Sequence, residues 1–289
     1  MIIVRITGGL GNQLFQYSFA YYIYKKNKRT KLDISEYNYY TLHKFLLNRF
    51  RINLKYANHK ETKKFYLFKN ILISYYLRAI SLKSYRFLLK FLNSSSVVYE
   101  KNFDQRKILS ETLFDGYWQN LKYLEENKKI LKKQFQLKNI SNLHRKLLSK
   151  LSNKKNSVAI HIRIYRNQRN EKNFHGNISP EYILNAIKKI EVQIKNPHYF
   201  IFSNSKDWFI KNVNMNRKNF QIIHGYKDYE DLISISKCKH QIISNSTFGW
   251  WGAWLNENPN KIVIAPKKWF RKRKNYKNFI SKNWLQIKN

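Results

Sequence analysis

Two hydroxyl side chains stand at a predicted strand-to-helix junction near the end of the chain. Residues His240–Ser244 predict a buried strand, and the apolar, aromatic run that begins at Phe248 predicts a helix. Ser246 and Thr247 lie between the two, and both are residue types that cap helices. The free N–H groups and the positive end of such a helix, together with the two hydroxyls, suit an anion. An ordinary cap on a core helix is the alternative that this pair leaves open.

A fixed positive charge follows another predicted strand. Arg163 comes directly after Val158–Ile162, at the carboxyl end of that strand. A planar guanidinium binds a diphosphate through paired hydrogen bonds and keeps its charge at all relevant pH values. Ligands of parallel α/β sheets bind beyond the carboxyl ends of strands, which favours a binding role over an ordinary surface charge.

A glycine-rich turn follows the first predicted strand, Ile2–Ile6. The turn spans residues 8–11, and a helix is predicted from Asn12 to about Lys26. Leu14 stands where the dinucleotide fingerprint requires its third glycine, so the pattern alone is a weak signal. The glycines indicate either close approach of a ligand to the backbone or tight packing of strand against helix.

Residues that follow different strands lie close together when strands and helices alternate along the chain, because the strands then form a parallel sheet. The second half of the chain shows this alternation. The predicted strands are Val158–Ile162, Tyr199–Phe202, Phe220–His224, Gln241–Ser244 and Lys261–Ala265. Helices are predicted between them, which is typical of a parallel, doubly wound sheet. We predict an α/β protein of two domains, 1–154 and 155–289, divided within the polar stretch 152–156.

A long stretch of the first half, Phe65–Leu92, is predicted to be helical and is both aromatic and basic. Such a composition is typical of a helix pair at a membrane surface. A core helix whose lysines extend to solvent is the equally strong alternative.

The chain is strongly basic, with 56 Lys and Arg against 17 Asp and Glu and a formal net charge of +39. An AT-rich genome that enriches Lys, Asn and Ile is our first explanation. Attraction to anionic lipid, at about 1 kcal/mol per basic residue near the surface, is the second. Nucleic-acid binding ranks third and is not expected, because no zinc-finger, RRM or helix-turn-helix pattern stands out.

The location is predicted from cysteine usage and hydropathy. The single cysteine, Cys238, cannot form an intrachain disulfide, which favours a reducing compartment. Met1 leads straight into a strand rather than a signal peptide, and no run of 18 apolar residues occurs. We expect a cytoplasmic protein, with peripheral contact with the inner face of the cytoplasmic membrane as an open alternative.

Four motifs resemble, in the same order, those of bacterial α-1,2-fucosyltransferases, glycosyltransferase family 11. They are Gly8–Gln16, Asp115–Gln119, Ile243–Leu255 and Asn258–Phe270. The resemblance implies a GT-B-like fold, in which two Rossmann-like domains face a cleft. It also implies transfer of L-fucose from GDP-fucose with inversion at the sugar carbon. The implied acceptor is a galactoside hydroxyl of a surface polysaccharide such as O-antigen, presented as a glycan or a lipid-linked oligosaccharide.

The resemblance also implies roles for individual residues. His161 and Arg163 match family residues associated with the nucleotide and pyrophosphate, and the strand-to-helix segment contributes to the donor site. The donor-binding set is therefore His161, Arg163, Asn204, Ser246, Thr247 and Phe248. The first loop of the family faces the cleft, which implies an acceptor or cleft role for Gly9, Gly11, Asn12 and Gln13.

No metal or other cofactor is expected at this site. Departure of a nucleoside diphosphate requires stabilisation of its developing charge, and many nucleotide-sugar enzymes use a metal held by Asp-x-Asp. That pair of carboxylates is absent from the sequence. We therefore predict that Arg163, the hydroxyls of Ser246 and Thr247 and a helix N-terminus perform this task without a metal.

The chain departs from the family at two places in the donor site. Residues 164–167 are Ile, Tyr, Arg and Asn where the family has Arg, Gly, Asp and Tyr. Asn204 stands where related fucosyltransferases have an acidic residue that holds the guanine edge, and an amide has one acceptor and one donor group. Asn204 suits a uracil-like edge better. A different donor, such as a UDP-sugar, and a catalytically weak sugar-nucleotide-binding protein therefore remain alternatives.

The general base must accept a proton from the acceptor hydroxyl, which requires a carboxylate or a histidine. His175 precedes Gly176 and matches a His-Gly pair of the family, while Asp115 opens the segment Asp115–Gln119. Glu171 is a further candidate by its nearness in sequence. We predict Arg163, His175 and Asp115 as the catalytic residues.

Overall fold

The computed structural model of the protein describes residues 1–39, 41–92, 96–104, 111–165, 169–215, 219–271 and 278–289. The chain forms two compact units, Met1–Lys138 and Asn139–Asn289. Arg166 and Asn167 lie outside the described residues, as does the side chain of Glu171.

The first unit contains a parallel sheet flanked by helices. Its strands are β1 (Ile2–Arg5), β2 (Thr30–Asp33), β3 (Ser96–Tyr99) and β4 (Thr112–Asp115). Its helices are α1 (Leu10–Lys26), α2 (His59–Lys63), α3 (Ile71–Ile80), α4 (Leu82–Leu92), α5 (Lys122–Glu125) and α6 (Lys128–Gln134). The strand order is β2-β1-β4-β3, and β1 pairs in parallel with both β2 and β4.

Aromatic packing fixes α1 to the sheet of this unit. Phe19 on α1 stacks on Trp118 with ring centroids 3.8 Å apart and planes 4° apart. Phe103, Phe114 and Tyr123 meet Phe19 edge-on. Burial of such rings dominates core energetics, so the predicted first helix is held by side chains that no local motif reveals.

The predicted helical stretch Phe65–Leu92 is a helix pair with an irregular start. Phe68 and Lys69 have positive φ values of 52° and 53°, so α3 cannot begin before them. Asn70 then caps α3, because its side chain accepts a hydrogen bond from the N–H of Ile73 at 3.0 Å. The prediction of helices is confirmed from Ile71 onward, and the predicted start at Phe65 is corrected, because α3 begins only after Asn70.

The second unit contains a longer parallel sheet. Its strands are β5 (Ser157–Ile162), β6 (His198–Ser203), β7 (Phe220–Ile223), β8 (His240–Ile243), β9 (Val263–Pro266) and β10 (Leu285–Ile287). Its helices are α7 (Asn142–Asn153), α8 (Arg169–His175), α9 (Pro180–Gln193), α10 (Lys206–Asn212), α11 (Asp228–Lys237) and α12 (Thr247–Leu255). The strand order is β10-β9-β8-β5-β6-β7, with parallel pairing throughout the described strands. The predicted α/β fold class is confirmed.

The boundary between the units comes earlier than the predicted position at 154/155. Helix α7 belongs to the second unit, because Leu147 and Leu151 pack with Phe200 and Ile235 in one buried cluster. Its start is set by Ser141, whose side chain accepts a hydrogen bond from the N–H of His144 at 3.1 Å. The sequence of α7 is mostly polar, so its narrow apolar stripe of Leu147 and Leu151 did not predict packing on the second unit.

Two further observations bear on sequence predictions. Cys238 is buried, as expected for a small core residue. Among the helices of the described residues, none combines the length and the apolar character needed to cross a bilayer.

Candidate functional site

Three strands of the second unit end side by side. Strand β5 lies between β8 and β6, and all three run in parallel, so their carboxyl ends share one edge of the sheet. Arg163 follows β5, Asn204 follows β6, and Ser246 follows β8. The topology thus brings together the predicted donor-binding residues of this unit.

His161, on β5, is bound through one ring nitrogen to Ser244. The Oγ atom of Ser244 lies 3.0 Å from His161 Nδ1 and accepts a hydrogen bond from the backbone N–H of Arg163 at 3.2 Å. Burial lowers the pKa of His161 to about 3, and the charge of Arg163 adds to the effect. His161 is therefore neutral near pH 7.

The hydrogen bond between Ser244 and His161 is compatible with either neutral tautomer of the ring, because a hydroxyl donates one hydrogen bond and accepts up to two. In the tautomer in which Ser244 donates to Nδ1, the ring carries its proton on Nε2, where it can donate a hydrogen bond without carrying a charge. Ser244 was predicted only as the end of a strand, and its hydroxyl gave no separate signal in the sequence.

Helix α12 begins at the same edge. Ser246 is its N-cap and accepts a hydrogen bond from the N–H of Phe248 at 3.3 Å. Ser246 and Thr247 are partly exposed, and the first turn carries no acidic or basic side chain. The prediction of a polar helix start is confirmed, and within the part of the chain that the structure describes, the first turn of α12 supplies no carboxylate to compensate the positive helix end.

Gly249 allows α12 to pack directly on the histidine. A Cβ atom at this position would lie 2.6 Å from His161 Nδ1, closer than real side chains come. The ring of Phe248 lies beside that of His161, with centroids 5.4 Å apart. The first glycine of the Phe-Gly-Trp-Trp-Gly run is therefore explained by its close contact with the ring of His161.

Arg163 is partly exposed beyond β5, with its guanidinium 5.4 Å from the ring centre of Tyr165. The backbone N–H of Tyr165 is in turn held by the side chain of Asn177 at 2.8 Å. The loop that carries Arg163 is thus tied at several points, and its cation lies at the edge where the helix begins.

Asn204 has a partner that the sequence did not indicate. Its Oδ1 accepts the N–H of Ile164 at 2.9 Å, and its Nδ2 donates to the carbonyl of the same residue at 2.8 Å. The backbone N–H and carbonyl of one residue, Ile164, therefore engage both ends of the amide. This arrangement supports a role in holding the Arg163 loop, and base recognition by Asn204 stays a prediction that competes with it.

His175 ends α8 in an aromatic setting. Its ring stacks on Tyr165 at 5.4 Å with planes 10° apart and lies 5.3 Å from Phe270. The buried side chain of Asn245 donates to the carbonyl groups of His175 and Gly176, at 2.8 and 3.0 Å. The structure thus links His175 to the loop after β8, which the family motif alone did not predict.

The glycine-rich turn lies in the first unit, at the carboxyl end of β1. Gly8 has φ +77°, which explains a glycine there, and Gly9 is the N-cap of α1. Added atoms at Gly9 would meet the ring of His43 at 3.5 Å. That distance is an ordinary van der Waals contact, so packing alone does not require a glycine at position 9, while Gly11 lies buried within α1.

Asn12 and Gln13, predicted to face a cleft, make contacts within this unit. Gln13 is buried, and its amide donates to the carbonyls of Gly8 and Lys44 and accepts the N–H of Leu46, each at 2.9 Å. Gln13 thus connects the loop at Gly8 to the loop at residues 44–46 by hydrogen bonds. Asn12 Oδ1 accepts a hydrogen bond from Gln119 at 3.1 Å, which joins two of the family motifs.

Asp115, a predicted catalytic residue, is buried in an ion-pair network of the first unit. Arg5 lies 2.9 Å from one carboxylate oxygen and Arg78 lies 3.1 Å from the other. Burial would raise the pKa of Asp115, but the two guanidinium groups outweigh it and lower the pKa below its usual value. A carboxylate of low pKa is a weak general base, so the geometry favours a structural role.

No group of three or more His, Cys, Asp and Glu side chains that could hold a metal ion occurs in the part of the chain that the structure describes.

The sequence resembles known glycosyltransferases along nearly its whole length. The sequence model of Glycosyl transferase family 11 matches residues 1–288. The alpha-1,2-colitosyltransferase of Escherichia coli is 33% identical over 301 residues, covering 99% of both chains. The O-antigen biosynthesis glycosyltransferase WbnK of Escherichia coli is 29% identical over 300 residues, covering 92% of this chain and 93% of that one.

Solved structures agree at the level of fold. The fucosyltransferase NodZ from Bradyrhizobium superposes with a TM-score of 0.54 at 13% identity, over 87% of this chain and 91% of that chain. The ADP-heptose heptosyltransferase II of Escherichia coli has a TM-score of 0.50 at 12% identity, over 99% and 89% of the two chains. The fold of this chain is therefore GT-B-like.

Proposed function

The chain belongs to glycosyltransferase family 11, and from that premise we propose that it transfers L-fucose from GDP-fucose to a hydroxyl of a galactoside. The product is an α-1,2 linkage in a surface polysaccharide of the O-antigen type. The observation that carries the proposal is the junction of β5 with β8–α12, where Ser244 joins His161 to the backbone of Arg163. We further propose that the reaction takes place in the cytoplasm.

The proposed reaction is a displacement at the sugar carbon with inversion and without a metal. The acceptor oxygen forms a bond to the anomeric carbon while the bond from that carbon to the diphosphate oxygen breaks. Negative charge then develops on the departing GDP. Arg163 and the N-terminus of α12 stabilise that charge, and the hydroxyls of Ser246 and Thr247 donate hydrogen bonds to it.

His161 contributes a neutral donor in this scheme. Its Nε2–H adds a hydrogen bond to the nucleotide without adding a charge that must be buried. The acceptor proton passes to a general base, for which we propose His175 in preference to Asp115. The choice rests on the ion pairs of Asp115 with Arg5 and Arg78, which stabilise its ionised form.

Colitose is a second candidate for the transferred sugar. It differs from L-fucose only by the absence of the 3-hydroxyl group, and the relative named for its transfer is 33% identical over nearly the whole chain. A donor site that leaves space at the 3-position accepts both sugars. A site that hydrogen-bonds the 3-hydroxyl favours fucose strongly, because a buried polar group left without its partner is costly.

The test has two stages. Thermal unfolding with GDP, UDP and dTDP should show stabilisation by GDP, since a ligand that binds only the native state raises the melting temperature. Incubation with GDP-fucose or GDP-colitose and a β-galactoside, in the presence of EDTA, should then release GDP and yield an α-1,2-linked product. Stabilisation by UDP alone would overturn the choice of donor. Binding of GDP without turnover of either sugar would favour the weak sugar-nucleotide-binding protein.

A further inference from the structure

Exposed hydrophobic side chains are concentrated in the α3–α4 hairpin. Among the described residues, eight of the eighteen large hydrophobic side chains that are exposed fall between residues 68 and 88. These eight are Phe68, Leu72, Ile73, Tyr76, Ile80, Leu82, Phe87 and Leu88. The most exposed of them are Ile80 at 81% and Phe87 at 70%. Clustered apolar exposure of this kind marks an interaction surface, whereas single exposed residues require no explanation.

The side chains on α3 lie on one face of that helix. Leu72, Ile73, Tyr76 and Ile80 are spaced one, four and eight residues from the first, which places them within a single stripe of an α-helix. The loop to α4 is short, so Leu82 continues the exposed surface beyond the turn. We call these eight residues the hairpin surface.

The opposite side of the hairpin is firmly packed on the first unit. Tyr85 and Leu89 on α4 are buried in a cluster with Leu67. Arg78 on α3 forms ion pairs with Glu36 at 2.8 Å and with Asp115 at 3.1 Å. The exposed stripe of α3 thus lies opposite Arg78, and on α4 Phe87 lies on the side away from the buried Tyr85 and Leu89.

The charge of the same segment is entirely positive. No acidic residue occurs between Glu61 and Glu100, while seven Lys and Arg residues lie between them. Lys69 and Lys83 are exposed beside the apolar side chains. Apolar residues interspersed with exposed lysines, without a carboxylate, match an anionic bilayer: the side chains enter the headgroup region and the ammonium groups meet lipid phosphates.

We propose that the hairpin surface docks the protein on anionic phospholipid membranes. The proposal goes beyond glycosyl transfer, since it concerns a surface that contains none of the residues assigned to the donor site. Docking would hold the enzyme at the surface on which lipid-linked acceptors are found. The attraction of the whole basic chain speeds the encounter, and the hairpin surface gives the contact its position.

The test is flotation with liposomes of phosphatidylcholine, with and without phosphatidylglycerol. We expect binding to the anionic vesicles that weakens with salt but persists in part at high ionic strength, because apolar insertion is not screened. The variant Tyr76→Ser/Ile80→Ser/Phe87→Ser should lower the partition coefficient at least about tenfold. Circular dichroism and thermal unfolding check that the variant is folded.

A matched control removes equally exposed side chains elsewhere. Leu143, Val192 and Ile210 are exposed in the second unit, with Val192 at 85%. The triple variant Leu143→Ser/Val192→Ser/Ile210→Ser should bind vesicles as the wild type does. Equal binding by wild type and the hairpin variant would overturn the proposal and leave net charge as the cause. So would a dimer in sedimentation analysis that only the hairpin variant abolishes, since the surface would then be covered by a second copy.

Discussion

At the scale of single residues, the site is built from side chains that hold backbone groups in place. Ser244 orients His161, Asn177 fixes Tyr165, and Asn204 engages the peptide of Ile164. Preorganisation of this kind means that little rearrangement is required when charge develops on the leaving group. Each of these side chains acts through another residue, and Arg163 is the group that they present.

Arg163→Ala should lower turnover about 100- to 1,000-fold while leaving the fold intact, since it removes one preorganised donor to the developing charge. Steady-state kinetics with the best donor, together with thermal unfolding, measure both effects. Arg163→Lys is the matched variant, because lysine keeps the positive charge but cannot form the paired hydrogen bonds of a guanidinium. Its turnover should lie between that of the wild type and that of the alanine variant. A folded alanine variant that keeps more than about a tenth of the activity would remove Arg163 from the diphosphate site.

Asn204→Asp separates two roles for this residue. If Asn204 holds the loop, the aspartate variant lacks the N–H group that donates to the carbonyl of Ile164, and its carboxylate faces that carbonyl instead. Both GDP and UDP should then bind about tenfold more weakly. If Asn204 reads the base, the restored carboxylate should tighten GDP and loosen UDP by about ten- to a hundredfold. We expect the first result from the geometry. Calorimetric titration with both nucleotides distinguishes the two.

Sequence patterns predicted which residues lie at the site, but they did not predict the hydrogen-bond and ion-pair partners of those residues. The strand ends, the cap at Ser246 and the cation at Arg163 all follow from local patterns, and the structure has them. Gln13 and Asp115 were assigned to binding and catalysis because they belong to motifs, yet their partners lie far away along the chain. Only the tertiary structure reveals that the polar side-chain atoms of Gln13 and Asp115 are already engaged by these partners.

At the scale of elements, the packing of α12 shapes the sheet edge at which β5 and β8 end. This helix carries two buried glycines, one facing His161 and the other facing α11. A Cβ atom at Gly252 would lie 2.4 Å from a side-chain carbon of Ile235. Both glycines thus permit close contact, but only Gly249 does so beside the site.

Gly249→Ala and Gly252→Ala should therefore differ in function more than in stability. Each adds a methyl group to a tight contact, at a cost of about 1–3 kcal/mol. Only Gly249→Ala displaces the ring of His161, so it should also weaken GDP binding at least about tenfold, on the scale of one lost hydrogen bond. Urea unfolding and GDP titration of both variants provide the comparison. Equal loss of GDP affinity would show that the helix as a whole, rather than the contact with His161, matters.

Helices were harder to bound from the sequence than strands. The polar stretch Glu125–Leu151 contains two helices, since α6 ends at Gln134 and α7 begins at Asn142 after a break at residues 135–141. The stop follows from the bridge between Phe50 and Leu137, which pairs residues distant in sequence. By contrast, the start of α9 is marked in the sequence itself, because Ser179 caps the helix and Pro180 stands at its first position.

At the scale of the whole molecule, stability should depend on pH through buried histidines. The pKa of His161 falls from 6.5 to about 3 on folding, mainly through burial. Between these values the unfolded chain binds more protons than the native one, so acidification below about pH 6.5 destabilises the fold. Asp231, whose pKa is raised to about 7 by burial and by Asp228 and Glu230, acts in the opposite direction.

His161→Gln isolates the first contribution. From about pH 7 to about pH 5 the wild type should lose about 2 kcal/mol more stability than the variant, because the variant cannot take up that proton. Urea unfolding at the two pH values, followed by tryptophan fluorescence, reports chiefly on the second unit, where six of the seven tryptophans lie. Parallel pH dependence in the two proteins would show that His161 is not the responsible group.

The hydrogen bonds of Asn204 have a consequence for the time course of ligand entry. The β5–β6 ladder ends where Ile162 faces Ser203, and the Asn204 amide adds one more rung beyond it. In hydrogen–deuterium exchange, the amides of Ile164 and Tyr165 should therefore exchange with the slow core rather than with surface loops. A slow pair of amides means that Arg163 stands on a rigid base before any nucleotide arrives. Association with GDP would then show a single kinetic phase, linear in nucleotide concentration, without a preceding step of loop ordering.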